Sequence, residues 1–209
     1  MFRHPTAKRS MKLILLILLM VSGLCQAQYS NHRLYQAYLD RDMSVWEEYI
    51  VSAQWDSLSQ EEQKQLLNYE YGFSAYKLGE DADKAREFIA RFENHLEAMK
   101  DVLTSARYHA YLASVYTYKL GQDKANMIAH AKQLYANMNR AMELDNQDAL
   151  VLSMKGNVEF YSPFGSKRKA LNYFQKADSI YAIHGEKWEQ WNHRAVEMNI
   201  EMCREKLKK

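Results

Sequence analysis

One stretch of this chain repeats itself at an offset of 42 residues. Tyr69 returns as Tyr111, and Tyr76-Lys77-Leu78-Gly79 returns as Tyr118-Lys119-Leu120-Gly121. Asp81 matches Asp123, and Asp83-Lys84-Ala85 comes back two residues early as Asp123-Lys124-Ala125. Leu150 to Tyr161, followed by Lys169-Ala170-Leu171, reads as a weaker third copy. Repetition at roughly 20 to 50 residues means that each unit cannot bury its apolar face alone and must stack on a neighbour. Such a chain builds an extended surface more readily than a catalytic pocket.

The first 27 residues read as an export signal. Arg3, Lys8, Arg9 and Lys12 precede an unbroken apolar run from Leu13 to Val21, and the segment ends in Cys25-Gln26-Ala27. A basic start, a short apolar core and small residues before the cut are the parts of a secretory leader. A membrane-spanning helix needs about 20 apolar residues, and this run is shorter. Cleavage after Ala27 is expected, releasing a soluble exported protein. A lipid-modified Cys25 is the competing reading, weakened by Leu24 where such signals carry a small residue. Met11 is an alternative start. The chain has 28 Lys+Arg and 26 Asp+Glu, and the leader holds four of the bases and none of the acids. Residues 28–209 therefore carry 24 basic against 26 acidic groups, a net −2. That near balance argues against nucleic acid, which asks for a basic face. Only Cys203 remains after the leader, so no disulfide framework exists and packing must hold the fold.

Pro163 is the only proline beyond the leader, which suits helices joined by short turns. No window alternates apolar and polar residues as a strand would. Ser44-Val45-Trp46-Glu47 and Ser59-Gln60-Glu61-Glu62 both have the form of a capping box. Gly79, Gly121 and Gly185 stand where helices should stop, in the left-handed conformation that glycine adopts cheaply. Leu66, Tyr69, Phe73 and Tyr76 fall on one helical stripe; Tyr108, Tyr111, Val115 and Tyr118 fall on its counterpart. The pattern predicts helices near 30–40, 44–57, 60–78, 83–100, 104–120, 123–144, 147–161, 166–184 and 186–207. In the last of these, Trp188, Trp191, Ala195, Met198 and Met202 share a side that should close the exposed end of the stack over 166–184.

These residues resemble the tetratricopeptide repeat family. Arg140-Ala141-Met142-Glu143-Leu144-Asp145-Asn146 is similar to the end of that family's second helix, with Asn146 in place of the usual Pro. Ala149-Leu150, Gly156, Ala170, Phe174 and Ala177 continue the pattern, and Gly72, Gly79 and Ala85 fit it upstream. The implied fold is all-α: antiparallel helix pairs (29–57, 60–100, 104–145, 147–184) stacked in a short right-handed solenoid, with 186–207 as a capping helix. Departures are plain, since no two repeats lie 34 residues apart and Ser162 to Arg168 enlarges the last turn.

The resemblance also implies a concave groove lined by the first helix of each pair. Carried across, it takes Tyr69, Phe73, Tyr76 and Lys77 from one repeat and Tyr108, Tyr111, Tyr118 and Lys119 from the next. Leu150, Asn157, Phe160 and Tyr161 come from the third. Tyrosine offers apolar area with two rotors and a hydroxyl, which suits a peptide surface, although stripes at this spacing also pack between helices. Asn157 alone occupies a position of the family's carboxylate clamp, too little to make one. Glu189, His193 and Glu197 lie at i, i+4 and i+8 and could face one metal ion, but the solvated side of a charged helix explains them more simply. His95, His109 and His130 have no catalytic partner at motif spacing, and no phosphate loop or nucleophile elbow occurs. The sequence thus points to a non-catalytic exported scaffold that needs no cofactor and grips a protein or peptide in its aromatic groove. The alternative is a small-ligand or transport-accessory protein whose helices enclose a pocket.

Overall fold

The repeat pattern becomes a series of helix hairpins in the computed structural model, which describes residues 29–208. The expected leader, its cleavage point and Cys25 lie outside the described residues. All regular structure among the described residues is helical. The α-helices are α1 (Asn31–Asp40), α2 (Ser44–Ser52), α3 (Gln60–Glu80), α4 (Ala82–Ala98) and α5 (Ser105–Gln122). They continue as α6 (Met127–Leu144), α7 (Ala149–Tyr161), α8 (Lys167–His184) and α9 (Gln190–Leu207). Short 3₁₀ turns sit at Trp55–Ser57, Lys124–Asn126 and Lys187–Glu189.

The repeated aspartates turn the chain. Asp81 ends α3 and caps α4, its carboxylate accepting from the amides of Asp83 and Lys84. Asp123 does the same after α5, accepting from Asn126. A side-chain acceptor satisfies the free amides of a first turn, so one residue both stops and starts a helix. The expected glycine caps are corrected by this. α3 and α5 run through Gly79 and Gly121, while Gly185 does end α8, but in an extended conformation at φ −65°. Among the described residues Arg41 alone has positive φ, at 61°, and it ends α1 with its amide directed at the Ala37 and Tyr38 carbonyls. The two S-x-x-E boxes also part company. Ser59 and Glu62 form theirs, whereas Ser44 is already inside α2, Met43 takes the N-cap position without a side-chain cap, and Glu47 pairs instead with Lys77.

First helices of successive hairpins run parallel and in register. Arg107 at the start of α5 meets Asp148 at the start of α7, and Gly121 at the end of α5 meets Leu78 at the end of α3. Three apolar clusters fill the space between helices. One joins α3 to α7 around Phe92, Tyr111, Val115 and Leu150. A second lies among α1, α2 and α3 around Leu34, Trp46, Tyr69 and Phe73. The third belongs to α7, α8 and α9 around Phe160, Phe174, Val196 and Cys203. Gly156 lets α7 close on α8, since a Cβ there would stand 2.6 Å from Phe174.

The C-terminal segment departs from the expected cap. The residues of α9 buried against α7 and α8 are Val196, Ile200 and Cys203, with Met202 beside them, whereas Met198 of the expected stripe is exposed; Trp188 and Trp191 reach the N-terminal cluster. Trp191 meets Trp46 at 5.2 Å between ring centroids and Tyr38 at 5.9 Å. The tryptophans therefore close the chain onto its own beginning and do not cover the end of α8.

Candidate functional site

Much of the expected groove is interior. Tyr69, Phe73 and Tyr111 have at most 1% of their surface exposed, and Tyr108 and Tyr118 are also buried. The occupant of that face is the C-terminal segment. Asn68 on α3 and Asn192 on α9 exchange amide hydrogen bonds at 2.8 and 3.2 Å, and the Tyr111 hydroxyl donates to Asn68 Oδ1. Farther along, Asn199 donates to Asn157. Arg107 bridges Asp148 at 2.6 Å and Glu189 at 3.0 Å. Burial works against the Arg107 charge, yet the two carboxylates raise its pKa overall. Burial lifts the Glu189 carboxyl above its ordinary value, with Arg107 opposing.

The groove assignment is corrected for Tyr69, Phe73, Tyr108, Tyr111 and Tyr118: their rings pack between helices or against α9. Tyr76 and Tyr161 remain exposed, the latter at 66%. Lys77 is tied to Glu47 at 3.0 Å and Lys119 to Glu93 at 2.6 Å, so both groove lysines have carboxylate partners. The metal trio is redrawn as well. Glu189 turns inward to Arg107, while His193 meets Asp178 of α8.

His95, which the sequence left without a partner, belongs to a site elsewhere. An open cleft of about 420 Å³ lies along α4 beside the end of α2, lined by Val51, Glu87, Phe88, Ala90, Arg91, Asn94 and His95. Its polar wall is fixed from below by Glu70, a carboxylate with 1% of its side chain exposed. Glu70 takes the Arg91 Nε–H at 2.8 Å and lies 2.9 Å from His95 Nδ1 through either oxygen. Trp55 stacks on the His95 ring, with centroids 3.8 Å apart and planes 8° from parallel. A buried carboxylate at Nδ1 holds the tautomer that carries its proton there and leaves Nε2 as the electron-pair donor. The sequence singled out His95 but gave neither Glu70 nor Arg91 a role. Their meeting across 25 residues carried no local signal.

No protein-family model matches the chain, and no curated protein matches it. Among solved structures it is similar to the HusA haemophore from Porphyromonas gingivalis. The TM-score is 0.56 at 12% sequence identity, over 99% of this chain and 96% of that one. At that identity the likeness concerns the fold.

Proposed function

We propose that this chain is an exported, non-catalytic binding protein built from divergent tetratricopeptide-like hairpins, and that it carries a flat iron-bearing macrocycle of the haem type in the α2/α4 cleft. The observation that carries this reading is His95, buttressed by buried Glu70 and stacked on Trp55 beside an apolar floor of Phe88 and Ala90. An imidazole that donates its Nδ1 proton to a carboxylate is a strengthened Nε2 ligand for iron. Phe88 and Ala90 suit a macrocycle face, and Arg91 suits acidic side arms, with Glu87 of the same lining opposing them. A volume of this order is ordinary for a small-molecule site. Likeness to a haemophore fold supports the ligand class. Filling of the concave face by α9 counts against a peptide lying there. For a protein partner, Tyr161 and Phe164 stand exposed on and beside the turn after α7.

Ferric haem titrated into residues 28–209 should give a saturable shift of the Soret band. Iron-free protoporphyrin should bind more weakly, and His95→Ala should weaken haem binding by at least tenfold with little effect on the porphyrin. Equal haem binding by wild type and His95→Ala, or no saturable binding, would reject the site.

A further inference from the structure

A second group of potential ligands lies on the seam between α8 and α9 and shares no residue with the α2/α4 cleft. His193 and Glu197 stand one turn apart on α9, and Asp178 faces them from α8. One donor atom from each lies within 4.8 Å of the other two, and all three residues are partly buried. His193 Nε2 is 2.8 Å from Asp178 Oδ1, and the Tyr181 ring stacks on the imidazole at 5.6 Å.

We propose that Asp178, His193 and Glu197 bind one divalent transition-metal cation of the zinc class. One imidazole with two carboxylates is a borderline donor set. It favours zinc, cobalt or nickel over calcium, which takes six to eight oxygens, and over magnesium, which keeps its waters. Three protein ligands leave a coordination position for water or an incoming ligand atom. The present partners of these groups are weak competitors. Glu197 is held by Arg194 at 2.7 Å, but both side chains are more than 40% exposed, where an ion pair contributes little. A metal that takes His193 Nε2 replaces its hydrogen bond to Asp178 and leaves the imidazole proton on Nδ1. Because α9 is the helix that lies across the concave face, a cation joining it to α8 would tie down that closure and raise the melting temperature.

The test is calorimetric titration of EDTA-stripped protein (residues 28–209) with Zn²⁺, paired with Co²⁺ visible absorption. One equivalent per chain is expected, with the intense bands of low-coordinate cobalt and a rise in Tm that EDTA reverses. Mg²⁺ and Ca²⁺ should give neither. His193→Ala should lose at least tenfold in affinity and lose the cobalt bands. Should that variant fail to fold, Glu197→Gln on the same seam must still weaken binding. Arg194→Ala should strengthen binding by freeing Glu197, a change that a merely structural trio would not produce. Unchanged stoichiometry and affinity in His193→Ala and Glu197→Gln would overturn the proposal, as would the absence of saturable Zn²⁺ binding by the wild type.

Discussion

Gly72 stands where Trp191 crosses α3. A Cβ built there would lie 2.6 Å from Trp191 Cη2 and 3.0 Å from Trp46 Cζ3, both on buried rings with little room to move. Gly72→Ala should therefore destabilise by about 1–3 kcal/mol, as overpacking does. A Cβ at Gly79, in the last turn of the same helix, would meet nothing within 4 Å. Gly79→Ala should accordingly be neutral or stabilise by up to about 1 kcal/mol. Chemical denaturation of the two variants checks the contrast. The tyrosines give a second residue-scale prediction. Burial first of all pushes the phenols of Tyr111, Tyr118 and Tyr181 well above their ordinary 10.0 and lifts Tyr71 to about 12. Unfolded phenols ionise near 10, and these do not while the fold holds. Their contribution is thus intact below pH 10 and is lost as pH rises beyond it. Phenolate absorption should show part of the tyrosine titrating near pH 10 and the remainder appearing together with loss of helical circular dichroism. At this scale the capping of α3 by Ser59 was legible because its partners are three residues apart. Gly79 and Gly121 were misread as stops because aspartate can stop one helix and start the next without a left-handed residue, whereas Gly185 does end α8.

Each helix was visible in the sequence, from apolar stripes at 3.6-residue spacing and few breakers. What a stripe faces was not, because a stripe fixes burial but names no neighbour. Tyr69 and Tyr111 suit an open groove and a filled one equally well, and the choice is made by contacts such as Asn68–Asn192, 124 residues apart. The candidate cleft was illegible for the same reason, since Glu70, Arg91 and Trp55 come from three separate elements. Trp188 and Trp191 were recognised as core residues and assigned to the wrong neighbours. Their true position changes what deletion of 186–209 should do. Truncating a buried Trp costs about 3–5 kcal/mol, and here the loss falls on α1, α2 and α3 as well as on α8. Hydrogen exchange of the deletion variant should show α1–α3 and α8 losing protection together, with the cluster around Phe92 and Val115 persisting longest. Loss confined to α7 and α8 would mean that the tryptophans serve only the C-terminal end.

At the scale of the molecule, hairpins that could have formed an open stack are drawn into a closed one by the segment that follows them. Repeat stacks whose units touch only their neighbours unfold from the ends. A chain whose last helix lies among its first helices must open as a unit, because α9 belongs to both the N-terminal and the C-terminal clusters with its preceding turn. Closure also lets a domain with no disulfide among its described residues hold together by packing, and it leaves the proposed ligand site on an outer face. The most direct measurement of closure is native-state hydrogen exchange of residues 28–209 in increasing denaturant. Amides of α9 around Asn192 and Val196 should exchange with the same opening free energy as those of α3 around Tyr69, converging on global stability. An α9 that opens alone at clearly lower free energy, while α3 keeps its protection, would contradict the account.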